Sequence, residues 1–174
     1  GVTVYLKDGA QERFDGVIFG SHSDETLKML DHPSAEEREI LGSVGYKPNS
    51  VYLHRDASLM PKRKRAWASW NFLRWPRQGD CANDLSVTYW MNRLQSLDDD
   101  KPLFVSLNPP FEPDPALTFG KYFCEHPFYN AAAFAAQKRL GEIQGRRHTW
   151  FCGAWTGYGF HEDGLRSGLA VAES

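Results

Sequence analysis

Between Thr149 and Gly168 the sequence reads TWFCGAWTGYGFHEDGLRSG, and five of the chain's fifteen glycines fall in the last sixteen of those residues. A short apolar run, Thr149 to Cys152, enters the glycines, and the acidic residues Glu162 and Asp163 open a helix expected from about Glu162 to Glu173. Glycines let a backbone approach a bound group closely, and a helix start offers unpaired N–H groups to electron-rich oxygens. These residue types in this order suit the cradling of a cofactor. A tight strand-to-helix junction packed on a neighbouring helix is the other arrangement the spacing allows. Gly164, Gly168 and Ala172 recur at intervals of four, a smooth stripe for another backbone or a flat group, although each interior glycine costs about 1 kcal/mol relative to alanine.

Other chemistry-bearing residues have plainer readings. Lys62, Arg63, Lys64, Arg65, Arg74 and Arg77 surround Trp67, Trp70 and Trp75, a mixture that can bind single-stranded nucleic acid by charge and stacking. The balance of 20 Lys+Arg against 22 Asp+Glu, a net charge of -2, speaks against that use. A solvated loop before a strand whose tryptophans line a core or pocket is favoured. His22, His54, His126, His148 and His161 share no metal-ligand spacing, so no metal site is expected, and only His161 is singled out, by its place in the glycine stretch. Asp98-Asp99-Asp100 lacks a calcium-loop pattern. Ser21, Ser69 and Ser86 stand outside any G-x-S-x-G context. Cys81, Cys124 and Cys152 are odd in number, with no CxxC or Cys/His metal spacing, so neither a disulfide framework nor a zinc site is indicated.

These residues need elements to hold them. Val2, Val4 and Leu6 alternate with polar neighbours up to an Asp8-Gly9 turn, and Phe14, Val17, Ile18 and Phe19 are expected to return as the second strand of a hairpin ending at Gly20. A helix follows from Ser23, with Leu27, Met29 and Leu30 inward, closed at His32-Pro33. Ser34 with Glu37 forms a capping box for a second helix through Leu41. Asn49 to His54, Ala66 to Trp75, Leu85 to Met91, Leu103 to Leu107 and Thr118 to Phe123 read as strands of a mixed or antiparallel sheet. The prolines between Asn108 and Pro115 make a rigid loop. Asn130 caps an alanine-rich helix carrying Phe134, Leu140 and Ile143, expected to end at Gly145.

With 174 residues, 41% hydrophobic and 24% charged, the composition is that of a globular protein, not a disordered one. No apolar run reaches the ~20 residues of a membrane helix and no signal-peptide design opens the chain, so a cytoplasmic location is expected. The aromatic fraction of 14%, with six Trp, stands out. The chain begins inside a strand at its first residue, as an excised piece would.

The segment from Phe151 to Gly164 resembles the C-terminal flavin-binding signature of flavin-containing amine oxidases, in which F-x-G ends a strand and an aromatic-x-E-G turn opens the last helix. More narrowly, WFCGAWTGYGFHEDGLRSG, MPKRKRAWASWNF, SVTYWMN and DGVIFGSH are similar to a bacterial group of NAD/FAD-binding, amine-oxidase-like proteins over nearly the whole chain. The resemblance implies a flavoprotein fold in which a substrate domain is inserted into a Rossmann-type FAD domain. It places Gly153 near the flavin pyrophosphate, and Gly159, Phe160 and His161 at the isoalloxazine. Glu162, Asp163 and Gly164 fall at the helix start facing the pyrimidine edge, and Phe160 where an aromatic cage residue often stands. The sequence departs from the family in two places: Ala154-Trp155 replace the usual Thr-Glu, and Asn49, with Lys47 two residues away, falls where a lysine near flavin N5 is common.

The G-x-G-x-x-G fingerprint of a dinucleotide site is absent from these residues. The chain is therefore expected to be the C-terminal portion of a bacterial FAD-dependent oxidoreductase of the amine oxidase and desaturase superfamily. The fold expected is α+β. Residues 1–45 would form a hairpin and helices bordering the FAD domain, 46–145 a substrate-binding domain with a mixed or antiparallel sheet, and 146–174 the last strand, turn and helix of the FAD domain whose Rossmann part is missing. The parent enzyme would transfer hydride from a substrate C–N or C–C bond to flavin, with this chain alone inactive and not retaining FAD. Trp67, Trp70, Tyr89, Trp90 and Phe160 are the candidate pocket for a small-molecule substrate, amine or lipid-like, although neighbours on a strand face opposite ways. The expected partners are the missing N-terminal Rossmann segment and, through faces it leaves exposed, a second copy; nucleic acid is not one. The alternative is a non-catalytic module that binds a ligand or partner on an aromatic sheet face.

Overall fold

The computed structural model describes residues 1–74 and 85–174, with the backbone alone at Leu85. Trp75, Arg77 and Cys81 lie outside the described residues. In chain order the elements are β1 (Val2–Tyr5), β2 (Gln11–Phe14), β3 (Val17–Phe19), α1 (Ser23–Met29), α2 (Ala35–Gly42), β4 (Gly45–His54) and β5 (Trp70–Arg74). There follow β6 (Leu85–Trp90), α3 (Met91–Gln95), β7 (Phe104–Leu107), β8 (Thr118–Phe128), α4 (Ala131–Lys138), β9 (Thr149–Phe151) and α5 (His161–Ala172). The fold is α+β with a mostly antiparallel main sheet. The chain divides into two compact units, Gly1–Lys47 with Pro127–Ser174, and Pro48–His126.

In the first unit β1 and β2 form the hairpin, with Val2 opposite Phe14 and Gly9 at φ +87° in the turn. The expected continuation of β2 through Phe19 is corrected. β3 leaves the hairpin and pairs in parallel with β9, Phe19 beside Phe151. Gly16 makes this possible, because a Cβ there would lie 2.7 Å from the Trp150 ring. Val17-Ile18-Phe19 is also a continuous apolar run, the pattern of a parallel strand and not of a half-solvated hairpin.

Around that pair Ile40, Leu41, Val44, Ala133, Ala136, Ile143, Phe151 and Trp155 form the core, with Leu27 and Leu30 of the α1 region packed on it. Met29 is 57% exposed, against expectation: Leu27 and Leu30, three apart, define the inner stripe, and Met29 falls off it. The capping box at α2 forms, with Ser34 Oγ accepting from the Glu37 N–H (3.1 Å) and the Glu37 carboxylate from the Ser34 N–H (2.7 Å). Asn130 Oδ1 caps α4 by accepting from the Ala133 N–H (2.8 Å), but the helix ends at Lys138 and not at Gly145. A 3₁₀ turn, Leu140–Glu142, replaces the last turns and brings Ile143 into the core.

In the second unit the sheet order is β5-β6-β7-β4-β8, antiparallel from β5 through β4. The expected strand from Ala66 starts only at Trp70. Lys64–Ala66 is a 3₁₀ turn, and the Asn71 amide ties Ala68 through both its N–H and its carbonyl. β8 runs past the expected Phe123 to Phe128. The Asp98–Asp100 turn hangs on Asn92, whose Nδ2 donates to the Asp98 and Lys101 carbonyls (2.6 and 2.9 Å).

Candidate functional site

The two parallel strands of the first unit end side by side, and each runs into glycine: β3 into Gly20, β9 through Cys152 into Gly153. The Cys152 N–H donates to the Phe19 carbonyl (2.8 Å), which carries the pairing to the strand ends. The carboxyl ends of parallel strands are where α/β folds receive ligands. Beyond Gly20 the chain passes Ser21 and His22, whose ring stacks on Tyr46 at 4.4 Å, while the Tyr46 hydroxyl accepts from the Ser23 N–H (2.8 Å). Burial raises the Tyr46 hydroxyl above its ordinary value, so it is a neutral partner. The Cys152 thiol is likewise pushed up by burial and stays protonated near neutrality.

The glycine loop is held chiefly by its own residues. Gly153 takes φ +136°, and a Cβ there would meet the Trp155 ring at 2.9 Å. Its N–H donates to Ser167 Oγ (2.9 Å). A Cβ on Gly157 would lie 2.5 Å from the Asp163 carboxylate, and one on Gly159, at φ +89°, would sit 3.0 Å from the Tyr129 hydroxyl. Asp163 Oδ2 accepts from the Tyr158 and Phe160 N–H groups, both at 3.0 Å, and folds the loop onto the start of α5. Gly164 rests on the Ala154 backbone, a Cβ there lying 3.6 Å from the Ala154 nitrogen, so the smooth stripe presses on backbone at this one point; Gly168 has open space above it.

Of the seven residues singled out for a cofactor, then, Gly153 and Asp163 are engaged within the chain. Phe160, His161 and Glu162 are exposed, and the His161 and Glu162 N–H groups have no hydrogen-bond partner among the described residues. With the Glu162 and Asp163 carboxylates beside them, these two donors suit a neutral polar ring edge better than a phosphate. Tyr129, Phe134 and Tyr158 form an aromatic row next to the loop, with centroids 5.8 and 6.0 Å apart. Burial, and then the nearby Tyr46 and Asp163, push the Tyr129 hydroxyl up to about 12.

In the second unit the four aromatic pocket candidates separate two and two, because the register puts alternate residues on opposite faces. Trp67 and Trp90 meet edge to face at 5.3 Å, against Phe104 and His54, with the Trp67 Nε1–H donating to the Pro61 carbonyl (2.8 Å). The polar residues Asn71, Thr88, Ser106 and His54 share that face and are buried, with Thr88 Oγ1 and His54 Nε2 both on Ser106 Oγ (2.7 and 2.8 Å). Burial lowers the His54 imidazole, against the opposing pull of Asp56, and keeps it neutral at pH 7. Trp70 and Tyr89 pair at 5.5 Å on the other face, in line with Val105 and Leu53. The adjacent cross-strand row is Phe72, Val87, Leu107 and Val51. Trp70 is 49% and Phe72 59% exposed, and neither row contains a charged residue.

No family model and no curated protein sequence matches the chain. Among solved structures it is similar to the crystal structure of a CLA-producing fatty acid isomerase from P. acnes, at 13% sequence identity and a TM-score of 0.55. The match covers 98% of this chain and 44% of that one, so this chain spans less than half the length of the isomerase structure whose fold it shares.

Gly20, Ser21 and His22, which the sequence placed only at the end of a hairpin and gave no site role, join the strand-end site. The Gly16 and Gly20 pair bracketing three apolar residues marked a separate parallel strand, and the hairpin expectation hid it. Among the described residues there is no group of three or more His, Cys, Asp or Glu that could hold a metal ion, and no helix is long and apolar enough to cross a membrane.

Proposed function

We propose that the chain is the C-terminal portion of an FAD-dependent oxidoreductase that acts on an apolar, lipid-like substrate. The first unit contributes to the cofactor site and the second presents the substrate-binding face. The observation that carries the reading is the parallel β3–β9 pair, which delivers two glycine-ended strands and the loop to α5 at one place. That arrangement agrees with the flavin-binding resemblance of the same residues. The exposed Phe160, His161 and Glu162 would contact the flavin ring edge, Gly153 and Gly159 would keep the loop close to it, and Asp163 would hold the loop in shape. FAD, when bound, supplies the hydride acceptor. The protein's part is then to orient the substrate and to keep water from it.

The uncharged rows around Trp70 and Phe72 favour a hydrocarbon chain over an ammonium group, which would call for a carboxylate beside it. One solved structure similar to this chain is that of a fatty acid isomerase, which agrees with that substrate class. Tryptophan fluorescence titrated with a long-chain fatty acid tests the reading. Trp70→Ala and Phe72→Ser are expected to weaken binding roughly tenfold each, since an aromatic side chain buried by a ligand contributes about 1.5–3 kcal/mol. Equal binding of fatty acid by parent and variants would overturn the substrate assignment. Stoichiometric FAD on the purified chain alone would overturn the fragment reading.

A further inference from the structure

The two uncharged rows of the main sheet continue along the strands into a third row that carries a charge. On the Trp70 side β4 presents Val51 and Leu53, and β7 presents Leu107 and Val105 opposite them. Two residues further along are Arg55, just past the end of β4, and Leu103, just before the start of β7, so alternation puts both on that same side. Both line a cavity of about 510 Å³, whose apolar wall is completed by Phe119 of β8 and by Leu97 beyond α3. Small-molecule sites fall in the range of roughly 300–1,000 Å³.

The charges in this cavity do not pair with one another. Arg55 and Lys101 line it together with Asp98 and Asp100, yet neither cationic side chain has a hydrogen bond or an ion pair among the described residues. Asp98 Oδ1 accepts instead from the Asp100 N–H (3.0 Å), within its own turn. Asp56, next in sequence to Arg55, accepts from the Ser58 and Asp114 N–H groups (2.8 and 2.9 Å). The Arg55 backbone is itself anchored, its N–H donating to the Leu117 carbonyl (2.9 Å). An available guanidinium therefore stands on a fixed strand end, at one limit of an apolar face.

We infer that this end of the sheet is the headgroup subsite for a fatty acid carboxylate. Arg55 holds the carboxylate with its two-pronged guanidinium, Lys101 adds a second positive charge, and the acyl chain runs over Leu53 and Val105 to Tyr89 and Trp70. The inference rests on the lipid-like substrate proposed above and gives that substrate a direction. Three strand spacings and a two-residue rise separate Arg55 from Trp70, about 16 Å, the span of a medium-length acyl chain. A carboxylate is favoured over an ammonium because the charged residue on the sheet face itself is Arg55, whereas both acids stand on the exposed Asp98–Asp100 turn.

The test titrates laurate, dodecanol and dodecylamine, which share one chain and differ in headgroup, into the protein below the micellar concentration of each, with tryptophan fluorescence as the readout. Laurate is expected to bind at least tenfold tighter than dodecanol, and dodecylamine more weakly than either. Arg55→Gln should weaken laurate at least tenfold and leave dodecanol within about twofold, with Arg55→Lys recovering part of the loss and Lys101→Gln costing less than Arg55→Gln. Both positions are exposed, and circular dichroism verifies that the variants fold. Unchanged laurate affinity in Arg55→Gln, an equal loss of laurate and dodecanol, or tightest binding of dodecylamine would overturn the subsite while leaving the apolar face as the lipid-binding surface. Binding of neither laurate nor dodecanol, or self-association of the chain that hides Trp70 from both, would overturn the lipid reading together with the subsite.

Discussion

Replacing Gln144 by glutamate separates a donor from an acceptor at one atom. In the parent the amide both accepts from the Phe151 N–H and donates to the Phe151 carbonyl. The ionised carboxylate that Gln144→Glu introduces would keep the first bond, lose the second, and set an anionic oxygen against the carbonyl. A net hydrogen bond is worth about 1 kcal/mol and a stranded partner about 1–3, so Gln144→Ala should cost roughly 2–4 kcal/mol and Gln144→Glu about 2 at neutral pH. Protonating the new carboxylate restores a donor. Its pKa is raised in the folded state by the facing carbonyl, so the variant's stability is fully present below the unfolded value near 4.3 and is lost as pH rises through the folded one. Urea unfolding at about pH 4 and about pH 7, taken as differences from the parent, reads this directly. A Gln144→Ala variant within about 0.5 kcal/mol of the parent would refute the amide's role in satisfying the Phe151 backbone groups. A pH-independent gap for Gln144→Glu would refute it as well.

Two further outcomes follow from the loop and the sheet. Asp163→Ala removes an acceptor shared by Tyr158 and Phe160 and an acid from the first turn of α5, and should destabilise by about 2 kcal/mol, with Asp163→Asn recovering about half, in the same urea assay. His54 is held below its ordinary 6.5 by burial, so the unfolded chain takes up the proton first; stability is present above pH 6.5 and falls as pH drops below it. His54→Gln should flatten that part of the stability profile, and an unchanged slope would assign it to other groups.

The local elements were legible where residue chemistry alone decides them. Ser34 with Glu37 and Asn130 with Ala133 cap helices as their types dictate, and the alternating stretches became the antiparallel sheet. What stayed hidden depended on partners distant in sequence. β3 read as hairpin because its neighbour, β9, lies about 130 residues on. The end of α4 was misplaced because a 3₁₀ turn, not periodicity, delivers Ile143 to the core. At the candidate site the glycines were visible, but the reasons for two of them, the Trp155 ring over Gly153 and the Asp163 carboxylate against Gly157, are three-dimensional.

The cross-strand row Asn71, Thr88, Ser106 and Tyr52, whose first three members are linked by side-chain hydrogen bonds, also decides which way the sheet can be assembled. A strand displaced by a single residue would expose these groups and turn Trp70 and Tyr89 inward, because alternate residues exchange sides. The row is uniformly polar in three of its four strands, and Ser106 bonds simultaneously to Thr88 and His54, so a slipped alignment forfeits several bonds at once. A sheet with oil on both sides would have no such preference. The polar side therefore acts as a register key for the apolar one, and mutations there should scramble strand alignment before they dissolve the sheet.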